Sequence, residues 1–273
     1  MTELVFHTST KHLIDAYVNK PAQSLLLSGP VGMGTQTTAQ YLAEGLQARY
    51  DDIHLVTPDE KGTISIDQIR PLYALSRTIY DSPRVIIIND ADAMSHAAQN
   101  ALLKLLEEPT AQTHFILTSH QPQLLLDTIR SRMQSIELRP ISLEASRKIL
   151  ASKNIATDTE KQMLFMAQGL PAELNRLGSD PEYFTAKATI ATSARTLLQA
   201  KAYERLLAIK DIKTREQALE TVTMLGRLLE FTVLRQKRTD LADKLDLIET
   251  VTGRLRTNGN VKVQLMYLVT KLP

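Results

Sequence analysis

Six residues, Gly29-Pro30-Val31-Gly32-Met33-Gly34, follow the apolar run Leu25-Leu26-Leu27-Ser28 and precede a stretch with Thr38, Ala39, Leu42 and Leu46 at helical spacing. A strand, a glycine-rich turn and a helix start, in that order, make a cradle for phosphate. The glycines let backbone N–H groups turn inward around an anion, and the helix N-terminus adds positive potential. Hydrolysis at such a cradle needs a lysine next, to reach the β- and γ-phosphates, and then a Ser or Thr hydroxyl to hold Mg²⁺. The chain has Thr35 and Gln36 at those places. Thr35 carries no charge, and Gln36 is a poor replacement for the magnesium hydroxyl. Sliding the frame to Thr37 or Thr38 recovers no lysine. Gly29, Gly32, Gly34, Thr35 and Gln36 therefore read as a degenerate phosphate loop; Gly-x-x-x-x-Gly alone reads equally well as a glycine-rich strand-to-helix turn.

A second element concerns the metal. The run Val85-Ile86-Ile87-Ile88 is almost wholly β-branched, as a strand buried on both faces requires, and it ends in Asn89-Asp90. A hydrolytic site places an Asp there to support Mg²⁺ and a Glu beside it to polarise water. Asn89 has no charge for a cation, and Asp90 is one methylene shorter than Glu. Both are also ordinary turn residues at a strand end. Losing the lysine, the hydroxyl and the metal carboxylate together opposes catalysis, and no cofactor is expected. No metal site is expected either: cysteine is absent, and the six histidines show no metal-ligand spacing.

The elements that must position these residues fall into two regimes. Up to Pro140, strand and helix signals alternate, the pattern of a parallel sheet wrapped by helices. Ile53 to Val56, Phe115 to Thr118 and Ile136 to Leu138 read as further strands. Ile66, Ile69, Tyr73, Ser76 and Tyr80 fit a helix that Pro71 must kink or shorten. Ser95 caps a helix with Ala98, Ala101, Leu102 and Leu105 on one face, ended by Pro109. Beyond Pro140 the strand signals stop. Short helices with a break at Gly169-Leu170-Pro171 lead into a helical region rich in Leu, Ala, Lys, Arg and Glu, closed by a helix from Val261 to Leu272. Hydrophobic residues make up 43% of the chain, enough for real cores, and 32 Lys+Arg against 30 Asp+Glu leave a net charge of +2. That balance does not by itself argue for nucleic acid. No leader pattern and no apolar run of transmembrane length is visible, so the cytoplasm is the expected compartment.

Several segments then carry a family resemblance. Asn89-Asp-Ala-Asp-Ala-Met94, Asn100-Ala-Leu-Leu-Lys-Leu-Leu-Glu-Glu-Pro109, Phe115-Ile-Leu-Thr-Ser119 and Leu124-Leu-Leu-Asp-Thr-Ile-Arg-Ser-Arg132 closely resemble the clamp-loader subunits of bacterial DNA polymerase III. Ile66-Asp-Gln-Ile-Arg70 resembles the family segment ahead of the metal strand. The resemblance is most specific over residues 64–140. Gly169-Leu-Pro-Ala-Glu-Leu174 is similar to the family's lid motif, and Asn258-Gly-Asn-Val-Lys262 to the end of its collar.

The resemblance implies an α/β AAA+ base domain over 1–140, a small helical lid over 141–186, and an all-α collar over 187–273 that joins subunits in a ring. The partners it implies are the other clamp-loader subunits, tau/gamma and delta. The sliding clamp is implied indirectly, and primer–template DNA through phosphate contacts. The dead loop resembles the delta-prime branch, whose own site is usually inactive. By the same resemblance Arg132 is an arginine finger acting in trans, Thr118 is the polar sensor at a strand tip, and Arg130 is structural or a DNA phosphate contact. Lys104, Glu107 and Glu108 read as a solvated face or a subunit contact, and Arg235, Lys237 and Arg238 as a basic cluster. The chain departs from the family in three places. The four-cysteine zinc module is missing between Tyr50 and Gly62. No arginine stands in Pro171-Ala172-Glu173, and Met133 follows Arg132 where cysteine is common. An active tau/gamma-like ATPase and a phosphate-loop nucleotide kinase are the competing readings; both need the missing lysine.

Overall fold

The structure, a computed structural model, describes residues 4–77, 82–107, 112–153, 155–236, 241–257 and 259–272. Tyr80, Glu108, Pro109, Lys237, Arg238 and Asn258 lie outside them, as do the side chains of Ser76 and Arg235. The chain forms two compact units, Met1–Ile155 with Ala167–Asn175, and Ala156–Met166 with Arg176–Pro273.

The first unit is a five-stranded parallel sheet. Its strands are β1 (Ser24–Ser28), β2 (Ile53–Val56), β3 (Arg84–Ile88), β4 (Thr113–Ser119) and β5 (Gln134–Glu137), in the order β2-β3-β4-β1-β5. Side chains alternate across a strand, and this sheet is buried on both faces. Leu26, Ile86, Ile88, Phe115 and Leu117 pack on one side with Ile69, Leu102, Leu105 and Ile129. Leu25, Leu27, Val85, Ile87, Ile116 and Ile136 pack on the other with Ile14, Tyr17, Ala39 and Leu42. That two-sided burial is why Val85 to Ile88 is a continuous apolar run rather than an alternating one.

The helices of this unit include α1 (Thr8–Asn19), for which the sequence reading gave no expectation, and α2 (Thr35–Gly45). Pro71 divides the expected helix into α3 (Ile66–Ile69) and α4 (Leu72–Arg77). Ser65 and Gln68 close a capping box on α3. α5 (His96–Glu107) starts after Ser95, whose Oγ accepts the Ala98 N–H at 3.2 Å. α6 (Asp127–Arg130) precedes β5, and α7 (Leu143–Ala151) follows it.

The second unit is helical. α8 (Thr157–Ala167), α9 (Pro171–Ser179), α10 (Pro181–Gln199), α11 (Ala202–Lys210), α12 (Arg215–Gln236), α13 (Asp243–Arg256) and α14 (Val261–Lys271) complete the chain. The division along the chain falls within α8 and α9, at 166/167 and 175/176. α10 packs on α12, α12 on α13, and α11 and α13 on α14. Their buried faces include Leu197, Val222, Leu225, Leu229, Val251, Leu255, Leu265 and Leu268. Position 187 falls inside α10. Among the described residues no helix is long and apolar enough to cross a membrane.

Candidate functional site

Parallel strands all end at one edge, where open α/β sheets hold their ligands. The ends of β1, β3 and β4 therefore bring together the loop from Gly29 to Gly34, the pair Asn89-Asp90, and Thr118 with its neighbours.

The loop has the geometry its glycines permit. Gly32 and Gly34 have φ of +88° and +85°, a region closed to most side chains. Gly34 caps α2 in the left-handed conformation, and its carbonyl accepts from the Thr38 N–H and the Thr38 hydroxyl, both at 2.9 Å. Met33 turns its side chain into the core. Thr35 opens α2 and is only 3% exposed, so its hydroxyl is not offered to solvent; Gln36 beside it is half-buried.

The loop is not open on its outer side. The Gly32 carbonyl accepts the N–H groups of Ala172 and Glu173, at 3.0 and 3.1 Å. These are orphan donors of the first turn of α9, and Gly32 satisfies them. The approach is close: a Cβ on Gly32 would lie 3.1 Å from the Glu173 Cβ, and one on Gly34 3.4 Å from the Ala172 Cβ. α9 is delivered there by Gly169, at φ +81°, whose carbonyl accepts the Ile141 N–H at 2.9 Å. A Cβ on Gly169 would stand 2.5 Å from the Ile141 oxygen, so the glycine of the Gly-Leu-Pro segment is obligatory.

The residues at the ends of β3 and β4 hold one another. The Thr118 hydroxyl donates to Asn89 Oδ1 at 2.8 Å and accepts the Asp90 N–H at 3.0 Å. Asn89 Nδ2 donates to Asp90 Oδ2 at 3.0 Å. Asn89 and Thr118 are buried, and Asp90 sits at φ +50°. Burial holds the Asp90 carboxyl above the usual carboxylate range; Asp92 adds to the shift and His120 opposes it.

Sequence reasoning missed His120. Its Nδ1 lies 2.7 Å from the Gly29 carbonyl, and its Nε2 3.4 Å from Asp90 Oδ1. A carbonyl can only accept, so Nδ1 carries a proton there. The histidine thus ties the first glycine of the loop to the end of β3. Its one sequence signal is position, two residues past the β4 tip residue Thr118.

Several groups by which a hydrolytic cradle holds Mg²⁺ with a triphosphate are missing from this arrangement. The cradle lacks a lysine, Thr35 is buried, and Asn89 is bonded to Thr118 and Asp90. Among the described residues no group of His, Asp and Glu is spaced to hold a metal. Beside the loop lies a cavity of about 730 Å³, lined in part by Phe6, Met33, Thr37, Thr38, Ile149 and Ala172. The two lysines at this cavity are engaged, Lys148 with Glu144 at 3.0 Å and Lys153 with the Asn175 carbonyl at 3.4 Å.

Arg132 is elsewhere. β1 and β5 run in register from Leu25 opposite Gln134 to Ser28 opposite Glu137. Arg132 therefore precedes the edge where the strands begin, while the loop follows the edge where they end. Four residues of strand separate those edges by about 13 Å, at ~3.3 Å per residue. The Arg132 side chain is 38% exposed and bonds Glu107 Oε1 and the Thr128 carbonyl, each at 2.9 Å. Arg130 pairs with Asp127 on its own helical turn. Met133, next to Arg132, is buried.

The chain is similar to several known proteins. A family model described as DNA polymerase III, delta subunit, matches residues 46–142, the stretch holding Asn89, Asp90, Thr118 and Arg132. The delta' subunit of DNA polymerase III from Bacillus subtilis is 33% identical over 156 residues, covering 56% of this chain and 47% of that protein. The delta' subunit from Pseudomonas aeruginosa is 29% identical over 182 residues, covering 57% of this chain and 56% of that one. The chain thus spans about half the length of these two relatives. Replication factor C small subunit 1 of Pyrobaculum aerophilum is 27% identical over 273 residues, covering 91% of this chain and 83% of the relative. Among solved structures, a DNA polymerase III gamma subunit-related protein of Thermotoga maritima superposes with a TM-score of 0.63 at 17% identity. It covers 96% of this chain and 97% of the other. Thermotoga maritima RuvB superposes with a TM-score of 0.51 at 17% identity, over 89% and 83%. Both likenesses are of fold.

Proposed function

We propose that the chain is a clamp-loader subunit of the DNA polymerase III type on an AAA+ fold, and within that class a delta-prime-type subunit that does not hydrolyse ATP and lends Arg132 to a neighbour's nucleotide; the matches to the delta-subunit family model and to two delta' subunits support this reading. Its partners on this reading are the tau/gamma and delta subunits. The sliding clamp is engaged through the ring, and primer–template DNA through phosphate contacts. The base, lid and collar division at 140 and 187 belongs to the same reading.

The observation that carries it is the separation of the two functional elements. The chain's own loop offers no lysine, and Thr35 in the lysine's place is buried. Arg132 stands exposed at the opposite edge of the sheet, about 13 Å away by strand length, so it cannot serve that loop. A finger needs a guanidinium, because the planar fork can donate to several phosphate oxygens at once. Two of the five Arg132 N–H groups are used by Glu107 and Thr128, which fix the plane and leave the rest for a ligand from another subunit.

The test is reconstitution. A loader assembled with wild-type or Arg132→Ala chain is assayed for DNA- and clamp-stimulated ATP hydrolysis and for clamp loading, at one salt concentration. Removing a finger costs roughly 10³- to 10⁵-fold at its own site, and a ring with other intact fingers loses less. Equal rates for the two assemblies reject the finger. Steady hydrolysis by the purified chain alone, abolished by substitution in the loop, rejects the inactive-site reading. The cavity beside the loop favours a second reading, a subunit that binds nucleotide, and equilibrium titration with labelled ATP separates the two.

A further inference from the structure

We propose that the groove between α11 and α14 is a docking site for an acidic amphipathic segment of a partner protein. The groove lies wholly within the helical unit and encloses about 780 Å³. Its floor is apolar, formed by Leu206, Ile209, Leu265 and Met266. Leu206 and Met266 remain 43% and 47% exposed, although each belongs to a helix with a well-buried face of its own. The rim is cationic. Lys210, Lys213 and Lys262 line it, and among the described residues none of their ammonium groups has a carboxylate partner. Arg215 also faces the groove, and its guanidinium is engaged by the Leu255 carbonyl. Among the described residues no Asp or Glu lines the groove.

This segregation stands out in a chain whose 32 basic and 30 acidic residues nearly cancel. Here Lys210, Lys213 and Lys262 line an apolar floor, and the exposed Asp211 that stands between the first two in sequence is not among the lining residues. Their mutual repulsion is relieved by an incoming carboxylate, so the charge pattern selects an acidic partner and rejects a basic one. The floor selects further. A nucleic acid would be held by the cations alone and would leave Leu206 and Met266 without a role. A peptide with apolar side chains at helical spacing on one face and Glu or Asp on the other satisfies both. The site does not depend on ATP chemistry or on Arg132.

The experiment is fluorescence anisotropy of the full chain with labelled helical peptides. One carries Leu at every third or fourth position with an acidic opposite face. A second keeps the leucines on a basic face, and a third keeps the acids without the leucines. The expected result is saturable, salt-sensitive binding of the first alone. Lys210→Glu with Lys262→Glu should weaken it by about tenfold or more, and Leu206→Ser should weaken it independently. Both changes are at exposed positions, and circular dichroism melts verify the fold. Failure of the acidic amphipathic peptide to saturate overturns the proposal. So does duplex DNA binding that is lost in the lysine variants but not in Leu206→Ser. Self-association in sedimentation abolished by Leu206→Ser would assign the groove to a second copy instead.

Discussion

Arg132 and Glu107 are joined by an ion pair of 2.9 Å although they lie 25 residues apart, Glu107 ending α5 and Arg132 following α6. Both precede strands, so the pair sits where the sheet begins. With the Thr128 carbonyl it fixes a guanidinium that would otherwise sample many rotamers.

The pair makes Glu107 a positioning residue for the proposed finger. An exposed ion pair contributes only about 0–1 kcal/mol to stability, so Glu107→Gln should melt like the wild type. In the reconstituted loader it should lower the stimulated ATPase about twofold to fivefold through kcat, well short of Arg132→Ala and within the range expected for misplaced groups. An unchanged kcat in Glu107→Gln beside a depressed one in Arg132→Ala would leave the finger standing and remove Glu107 from its support.

Thr35→Lys should not restore hydrolysis. The new lysine would enter at the first position of α2, with Gln36 next to it and no hydroxyl for Mg²⁺. Asn89, uncharged, would still be bound to Thr118 in place of a metal carboxylate. Turnover by the purified Thr35→Lys chain above the wild-type background is the result that would count against this account.

Gly169 and Gly62 form a matched test of the α9 approach. Both have positive φ, +81° and +74°, but a Cβ on Gly62 meets nothing within 4 Å, whereas one on Gly169 lies 2.5 Å from the Ile141 oxygen. Gly62→Ala should therefore cost only the left-handed penalty of about 1–2 kcal/mol. Gly169→Ala must also move backbone and should cost roughly 3 kcal/mol or more. Urea unfolding followed by circular dichroism compares them; similar midpoints would mean the contact is slack.

The strands were legible because each is a short apolar run with turn residues at its ends. Ile53 to Val56 coincides with β2, and the run from Val85 differs from β3 only by Arg84. The glycines at 29, 32 and 34 and the pair Asn89-Asp90 were legible as site elements because strand ends dictate where they fall. What the sequence could not supply was the partner of each group. The bonds from Ala172 and Glu173 to Gly32 join residues some 140 positions apart. The tie from His120 to Gly29 crosses 91 positions, and no local pattern marks either. α1 escaped notice because its buried positions, Thr10, Ile14 and Tyr17, mix polar and apolar side chains.

Asp90 gives the site a pH dependence whose sign follows from burial. Its carboxyl is held above the usual range mainly because burial disfavours the charged form, with Asp92 adding and His120 opposing. A group whose pKa is raised on folding binds its proton more tightly in the folded state. The stability it contributes is present in full below its unfolded value and is lost as pH rises through the folded one. At neutral pH the ionised carboxylate is therefore a burden on the fold. Asp90→Asn removes that charge and keeps an oxygen that can accept from Asn89 Nδ2. The variant should melt slightly above the wild type at pH 7, and the difference should shrink toward zero as pH is lowered through the carboxylate range. The advantage is kept small by the partial exposure of Asp90 and by the lost contact with His120 at 3.4 Å. Melting curves of both chains at several pH values decide it: a variant that is less stable at pH 7, or a difference that does not change with pH, would show that the His120 contact outweighs the burial of the charge.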